Sequence, residues 1–239
     1  MDILVVGSGG REHAVIRKLK ESKNAGTIYC CPGNGGIAAD AACVDVSATD
    51  IPGVAALAKE KKVGLVVVTP DDPLVLGMAD ALEAQGIPAF GPSKRAAAIE
   101  GSKVFSKDLM RRYGIPTARY ESFDDPARAA AYLRAQNRYP AVIKADGLAL
   151  GKGVVIAKDE NEALEAVRSM MEDKKFGESG SRVVIEEFLE GVEVSVLAFT
   201  DSVSVVPMAP SMDHKRALDG DEGPNTGGMG TIAPHPLYT

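Results

Sequence analysis

The chain has 239 residues, 45% hydrophobic and 25% charged, with a formal net charge of −6, which is enough for a packed core in one large or two small domains. That acidic balance offers no overall field to nucleic acid or anionic lipid, no apolar run reaches the roughly 18 residues of a membrane span, and the opening residues read as a strand, not a secretory leader. The three cysteines, Cys30, Cys31 and Cys43, include an adjacent pair and no C-x-x-C spacing, so neither a disulfide framework nor a zinc site is expected, and the cytoplasm is the expected compartment.

Up to about residue 100, short apolar runs alternate with helical stretches. Residues 3–6, 27–31, 65–69 and 89–90 read as strands, and 12–21, 51–61 and 76–85 carry apolar residues at helical spacing. The strands are apolar throughout, as in a parallel sheet covered on both faces, so the expected fold is α/β, doubly wound and Rossmann-like. A basic helix over 102–113 ends before Pro116, which holds Ile115 extended, and a domain boundary is placed near residue 102. Beyond it, strands are expected at 118–123, 141–144, 154–157, 182–187 and 192–200, and helices at 126–136 and 160–171. From 207 onward, Pro, Gly, Asp and Asn dominate, and the reading there is a long loop of an interrupted domain, with a flexible tail as the alternative.

Gly7-Ser8-Gly9-Gly10-Arg11-Glu12 stands where the first strand meets the first helix. Glycines there let backbone amides face a phosphate, and Arg11 adds a charge. A dinucleotide fingerprint would need glycine at the Glu12 position and an acid after the second strand, which instead ends Cys31-Pro32-Gly33-Asn34. A single phosphate or phosphoribosyl group fits better than NAD, with a tight packing turn as the plain alternative. Asp71 and Asp72 follow the third strand at the sheet's carboxyl edge, where one is suited to sugar hydroxyls and Asp72 to capping a helix before Pro73.

Lys144 ends an apolar strand, and Gly147, Gly151 and Gly153 with Lys152 follow it. The pattern suits a mobile flap over nucleotide phosphates, although the P-loop order is absent and a strand follows. Residues 183–193 then couple an apolar strand to an acidic connection. Backbone groups there suit an adenine edge, and a carboxylate suits the ribose hydroxyls; alone, the stretch would read as an edge strand with solvated acids.

Taken in order, Gly7-Ser8-Gly9-Gly10-Arg11-Glu12-His13, Pro32-Gly33-Asn34, Glu100-Gly101-Ser102-Lys103, Lys144-Ala145-Asp146-Gly147, Glu186-Glu187-Phe188-Leu189, Asp213-His214-Lys215-Arg216 and Gly223-Pro224-Asn225-Thr226-Gly227-Gly228-Met229-Gly230 resemble the phosphoribosylamine–glycine ligases of the ATP-grasp superfamily. The resemblance covers essentially the whole chain and implies an N-terminal substrate-binding domain over 1–102, then an ATP-grasp domain over 103–239 truncated at its C-terminal side. It implies that ATP phosphorylates glycine and that the amine of phosphoribosylamine attacks the acyl phosphate. By resemblance, Lys103 and Lys144 contact phosphates under the Gly147–Gly153 loop, which includes Gly151 and Lys152. Glu186, Glu187, Phe188 and Leu189 line the adenine pocket, and Glu193 holds the ribose. Gly9, Gly10, Arg11, Asn34 and Asp71 approach phosphoribosylamine, while Asp213, Lys215, Arg216 and Asn225 border glycine and the acyl phosphate.

Two departures stand out. The family more often has Gly-Pro-Glu-Ala-Pro where this chain has Thr69-Pro70-Asp71-Asp72-Pro73, and Gln where this chain has Met212. Family members are nearly twice as long, and their Mg²⁺ or Mn²⁺ ligands are expected in the part beyond this chain. The resemblance therefore implies the N-terminal half of such a ligase, monomeric, with small-molecule partners and little activity by itself. The alternatives are another ATP-grasp carboxylate–amine ligase or carboxylase, a non-catalytic nucleotide-binding module and, last, a nicotinamide-binding protein.

Overall fold

The computed structural model describes residues 1–149, 153–220 and 222–238, with the side chains of Pro224 and Asn225 outside the description. It divides into two compact units, Met1–Ser106 and Lys107–Thr239.

The first unit runs β1 (Ile3–Gly7), α1 (Gly10–Lys20), β2 (Ile28–Pro32), β3 (Ala42–Cys43), α2 (Ile51–Glu60), β4 (Leu65–Val68), α3 (Asp71–Leu76), α4 (Met78–Glu83), β5 (Ala89–Phe90) and α5 (Lys94–Gly101), and it includes the first residues of α6 (Lys103–Tyr113). Its sheet has the order β3-β2-β1-β4-β5, with parallel pairing throughout. Every residue of β1 is buried because both faces are covered. Leu4 and Val6 join a core with Val54, Val66, Met78 and Leu82, whereas Ile3 and Val5 pack with Ile16, Ile28, Cys30 and Ile37. Each such side chain contributes roughly 1.5–3 kcal/mol on burial. The doubly wound parallel architecture is thus present as expected.

Local details differ from expectation. The expected helix over 76–85 is instead α3 and α4, divided at Gly77 (φ 101°), whose left-handed backbone ends one helix and starts the next. Asp72 does not cap α3: Pro70 holds the cap position, and Asp71 and Asp72 occupy the first turn. β3 is two residues long and α5 follows Ser93, whose hydroxyl accepts from Ala96 N; both are too short or too weakly apolar to show a clear period.

In the second unit β6 (Tyr120–Phe123), α7 (Pro126–Gln136), β7 (Ala141–Ala145), β8 (Val154–Ala157), α8 (Glu160–Val167) and β9 (Val183–Glu187) build an antiparallel sheet of order β6-β9-β7-β8. Asp125 and Asp159 cap α7 and α8 by accepting from Arg128 N and Glu162 N. The expected helix to 171 stops at Val167 and passes into a π turn over Arg168–Glu172. Ala129, Leu133, Ala163, Ala166 and Val167 bury one sheet face through Ala141, Ile143, Val183 and Ile185. By strand alternation, Val142, Lys144, Val184, Glu186 and Tyr120 point to the other face.

The expected strand over 192–200 contracts to β10 (Ala198–Thr200), paired with β11 (Val205–Pro207). The expected loop beyond 207 contains β12 (Met212–Asp213), β13 (Arg216–Leu218), β14 (Glu222–Asn225) and β15 (Thr231–Ile232). Of these, β12 pairs with β15 and β13 with β14, both antiparallel. Strands of two to four residues cannot display an alternating pattern, so composition alone reads as loop. Every residue of β10 and β11 is exposed, Phe199, Val205 and Val206 among them. No helix among the described residues is long and apolar enough to cross a membrane.

Candidate functional site

At the carboxyl edge of the first sheet, the loops after β1, β2 and β4 are tied together by side chains. Glu12, only 3% exposed, accepts from Gly9 N at 2.5 Å and from the Thr69 hydroxyl at 2.6 Å, and that hydroxyl lies 2.9 Å from Val6 O. This clasp spans β1 and β4, where the strand order reverses, the usual ligand crevice of an open α/β sheet. Glu12 thus occupies the place where a dinucleotide fold has a glycine, and Gly7 (φ 130°) leaves room for it: a Cβ there would meet Glu12 Cγ at 2.6 Å.

The same ties commit two predicted site residues. The Gly9 amide is given to Glu12, and the Asn34 amide donates to Ser8 O at 2.7 Å while its oxygen accepts from Ile37 N at 2.8 Å. Gly10 and Arg11 are exposed in the first turn of α1, where helix amides point outward. Asp71 is half-buried in the first turn of α3. His13, next in the motif, bonds Asp40 at 2.8 Å, and Lys20 reaches the other Asp40 oxygen at 2.6 Å. Hydrogen bonds from Lys20 and His13 hold the Asp40 carboxyl down at about 2.

In the second unit Glu186 is the centre. It is 6% exposed and stands opposite Val142 and Tyr120 in the ladders, so Lys144, two residues along β7, reaches it diagonally on the same face. Lys144 Nζ lies 3.0 Å and Lys107 Nζ 3.2 Å from Glu186 Oε2. Lys107 also donates to the Thr117 hydroxyl at 2.7 Å and to Ala118 O. Glu186 Oε1 is buried and has no hydrogen-bond partner among the described residues. A buried carboxylate oxygen without a donor is costly, and a ligand N–H would complete it. Tyr120 walls this face: its ring lies 4.2 Å from the Arg111 guanidinium carbon and its hydroxyl donates to Asp108 at 2.7 Å. Burial, then the Asp108 bond, pushes the phenol up to about 12.

Lys107 was not among the residues expected from sequence, although it follows Lys103 by one helical turn. Lys103 itself opens α6, half-buried, in the first unit.

The β7–β8 connection begins as a fixed segment. Arg182 pairs with Asp146 at 2.5 Å, Gly147 N donates to Ser179 O, and Ser179 Oγ donates to Leu148 O. A Cβ on Gly147 would meet Ser179 Oγ at 2.5 Å, and one on Gly153 would meet Ala149 Cβ at 2.7 Å. Both glycines are therefore required by close packing. Gly151 and Lys152 lie outside the described residues.

At the end of β9, Glu187 accepts from Arg119 N at 2.9 Å and Arg119 Nε at 2.7 Å, and these bonds hold its carboxyl below the usual range. Glu186, Glu187, Phe188 and Glu190 share the lining of a cavity of about 580 Å³ with Arg119 and Tyr139. Neither Lys107 nor Lys144 lines it, so the cavity and the lysine pair meet only at Glu186. Leu189 is exposed.

The C-terminal residues form a further cluster. Lys215 pairs with Glu193 and lies 3.8 Å from Asp213, which joins the expected ribose residue to two expected at the glycine site. His235, buried, meets Glu193 O at 3.0 Å through Nε2, and its Nδ1 accepts from Leu237 N, so Nε2 carries the proton. Arg216 donates to Gly223 O at 2.7 Å and stands opposite Asn225 in the β13–β14 ladder; the Asn225 side chain lies outside the described residues. Among the described residues no group of three or more His, Cys, Asp or Glu side chains is placed to hold a metal ion.

The phosphoribosylglycinamide synthetase N domain matches residues 1–100, and the phosphoribosylglycinamide synthetase ATP-grasp (A) domain matches residues 101–239. The phosphoribosylamine–glycine ligase of Halalkalibacterium halodurans is 50% identical over the whole chain, which spans 56% of that protein. The Drosophila melanogaster trifunctional purine biosynthetic protein adenosine-3 is 52% identical over 99% of the chain, which spans 18% of it. The chain thus spans about half the length of the bacterial relatives it matches. Among solved structures, the Thermotoga maritima phosphoribosylamine–glycine ligase superposes with a TM-score of 0.83 at 32% identity, covering all of this chain and 56% of that one. The biotin carboxylase domain of Hydrogenobacter thermophilus 2-oxoglutarate carboxylase, solved with MgADP and bicarbonate, gives 0.73 at 19% identity over 90% of this chain and 50% of that one, a likeness of fold. The chain belongs to the phosphoribosylglycinamide synthetase family.

Proposed function

We propose that this chain is the substrate- and nucleotide-binding part of a phosphoribosylamine–glycine ligase. The observation that carries the reading is the convergence of Lys107 and Lys144 on one oxygen of buried Glu186, whose other oxygen lacks a donor among the described residues. A purine amino group supplies such a donor, and Lys144 supplies positive charge where phosphates follow. ATP phosphorylates the glycine carboxylate, the amine of phosphoribosylamine attacks the acyl phosphate, and glycinamide ribonucleotide, ADP and phosphate leave.

Each step asks something of named residues. Lys103 and Lys144 offset charge on the nucleotide, and the loop that starts at Gly147 and ends at Gly153 excludes water from the acyl phosphate. Glu186, Glu187, Phe188 and Leu189 receive adenine, and Glu193 receives the ribose. Asp213, Lys215, Arg216 and Asn225 border glycine. In the first unit, Gly10 and Arg11 approach the phosphate of phosphoribosylamine and Asp71 approaches its sugar, with Gly9 and Asn34 shaping the loops that present them. Mg²⁺ or Mn²⁺ lowers the cost of the charge that develops during phosphoryl transfer. Its ligands are expected in the part of the relatives that this chain does not span. The protein is read as a cytoplasmic monomer acting on small molecules.

The test is ADP release from the protein extended to the length of its relatives, with this 239-residue chain alongside. Each reaction contains ATP, Mg²⁺, glycine and fresh phosphoribosylamine, with components omitted in turn. The expected outcome is dependence on both glycine and phosphoribosylamine in the extended form and little or no turnover in the short one. ADP formed with another acid, or without phosphoribosylamine, would overturn the substrate assignment.

A further inference from the structure

Two of the three cysteines stand side by side. Cys30 on β2 and Cys43 on β3 are register partners in the parallel sheet, which puts their side chains on one face. Neighbouring strands lie about 4.8 Å apart, within the roughly 4.4–6.8 Å between Cα atoms that a disulfide bridges. Both side chains border Gly33: a Cβ built there would lie 3.6 Å from Cys30 Cβ and 3.2 Å from Cys43 Cβ, and would collide with Cys43 Sγ. Gly33, at φ 72°, therefore keeps open the space in which the two thiols approach.

We propose that Cys30 and Cys43 are an oxidisable dithiol, closed to an intrachain disulfide by hydroperoxides. The partners differ in access, which sets the order of events. Cys43 is exposed, whereas Cys30 is buried, and burial, with Cys43 and Glu12 nearby, pushes its thiol up to about 12. Reaction therefore starts at Cys43. Its thiolate attacks one peroxide oxygen, the O–O bond breaks, and a sulfenic acid and hydroxide (or alkoxide) result. Cys30 then attacks the sulfenic sulfur, the S–S bond forms, the S–O bond breaks, and the hydroxyl leaves as water with the Cys30 proton. Two thiols lose two electrons and one peroxide gains them.

The adjacent Cys31 is no competitor, because it faces the opposite core, away from Cys43. The bond has a local consequence. Cys30 Sγ lies 3.3 Å from Gly7 O and Cys43 Sγ 3.8 Å from Asn34 O, so closing it draws the sulfurs off the last residue of β1 and the loop that follows β2. It also pins β3, an exposed two-residue edge strand. This inference stands independently of the proposed ligase activity.

The test treats the folded 239-residue chain with hydrogen peroxide, blocks remaining thiols without reduction, and maps peptides by mass. The expected product is one species linking Cys30 to Cys43, short by two hydrogens, retained in Cys31→Ser, lost in Cys43→Ser and reversed by dithiothreitol. Exchange of the Val44 amide, which donates to Cys30 O, should slow at least tenfold on oxidation. Three outcomes overturn the proposal: Cys43 oxidised beyond the sulfenic acid with Cys30 still a thiol, a Cys30–Cys31 link, or only disulfides between chains.

Discussion

Lys144 reaches Glu186 across one step of the β7–β9 ladder, Nζ to Oε2 at 3.0 Å, from a strand whose alternate residues Ala141, Ile143 and Ala145 are fully packed in the core. The charge is therefore delivered by a rigid element, with little orientation left to fix when a ligand arrives. In the extended enzyme, Lys144→Met should lower kcat/KM about a hundredfold, roughly 3 kcal/mol of transition-state stabilisation. Steady-state ADP release measures it, and a change under threefold would reduce Lys144 to a packing residue.

Lys107 makes a different demand on the same carboxylate. Lys107→Met leaves buried Glu186 with one cation and should destabilise the chain by about 2 kcal/mol. Adding Glu186→Gln should recover part of the loss, because the residual charge is then gone. Urea unfolding of the single and double variants decides it, and additivity of the two losses would argue against direct coupling.

Gly147→Ala should cost about 1–3 kcal/mol through overpacking against Ser179, whose Oγ, Cβ and Cα all lie within 3.0 Å of the new methyl. Ser179→Gly in the same chain should restore part of that stability by removing two of those contacts. Thermal denaturation of both variants is the check.

Glu12→Ala should destabilise the first unit by roughly 1–3 kcal/mol, since Gly9 N loses its acceptor and the Thr69 hydroxyl is left with Val6 O alone. Amide exchange at Gly9 should rise with it. Unchanged exchange there would mean that the clasp does not hold the loop.

Asp40 sets a pH expectation. Its folded value of about 2 lies below the ordinary 3.8, so the bonds to His13 and Lys20 contribute stability above pH 3.8. That contribution is lost as pH falls through about 2. Asp40→Asn should remove this part of the acid dependence, read as the difference between wild-type and variant urea midpoints across that window. Parallel curves would exclude the linkage.

The sequence revealed the sheet of the first unit because its strands are continuous apolar runs, and it located Lys144 and Glu186 because each ends or interrupts such a run. It did not reveal Lys107, whose partner is 79 positions away and depends on how α6 meets β6 and β9. Glu12 was legible only as a missing glycine; that it fills the crevice follows from Thr69, brought beside it by the order of β1 and β4. The break at Gly77 was hidden because apolar residues keep helical spacing across it, and only the backbone φ separates the two helices. Beyond residue 207 the strands have two to four residues, fewer than a periodic pattern needs.

The pairing of β7 with β9 also bears on quality control during folding. Ile143 and Ile185 are register partners in the core, and Val142 and Glu186 are partners on the other face. Sliding one strand by a single position would turn Lys144 or Glu186 into the apolar layer beneath α7 and α8 and bring an isoleucine out. A slipped molecule would thus carry an unsolvated charge in its core and lack its ion pair at once. Correct assembly of the fold and assembly of the site are the same event, so few molecules should be well folded yet miswired.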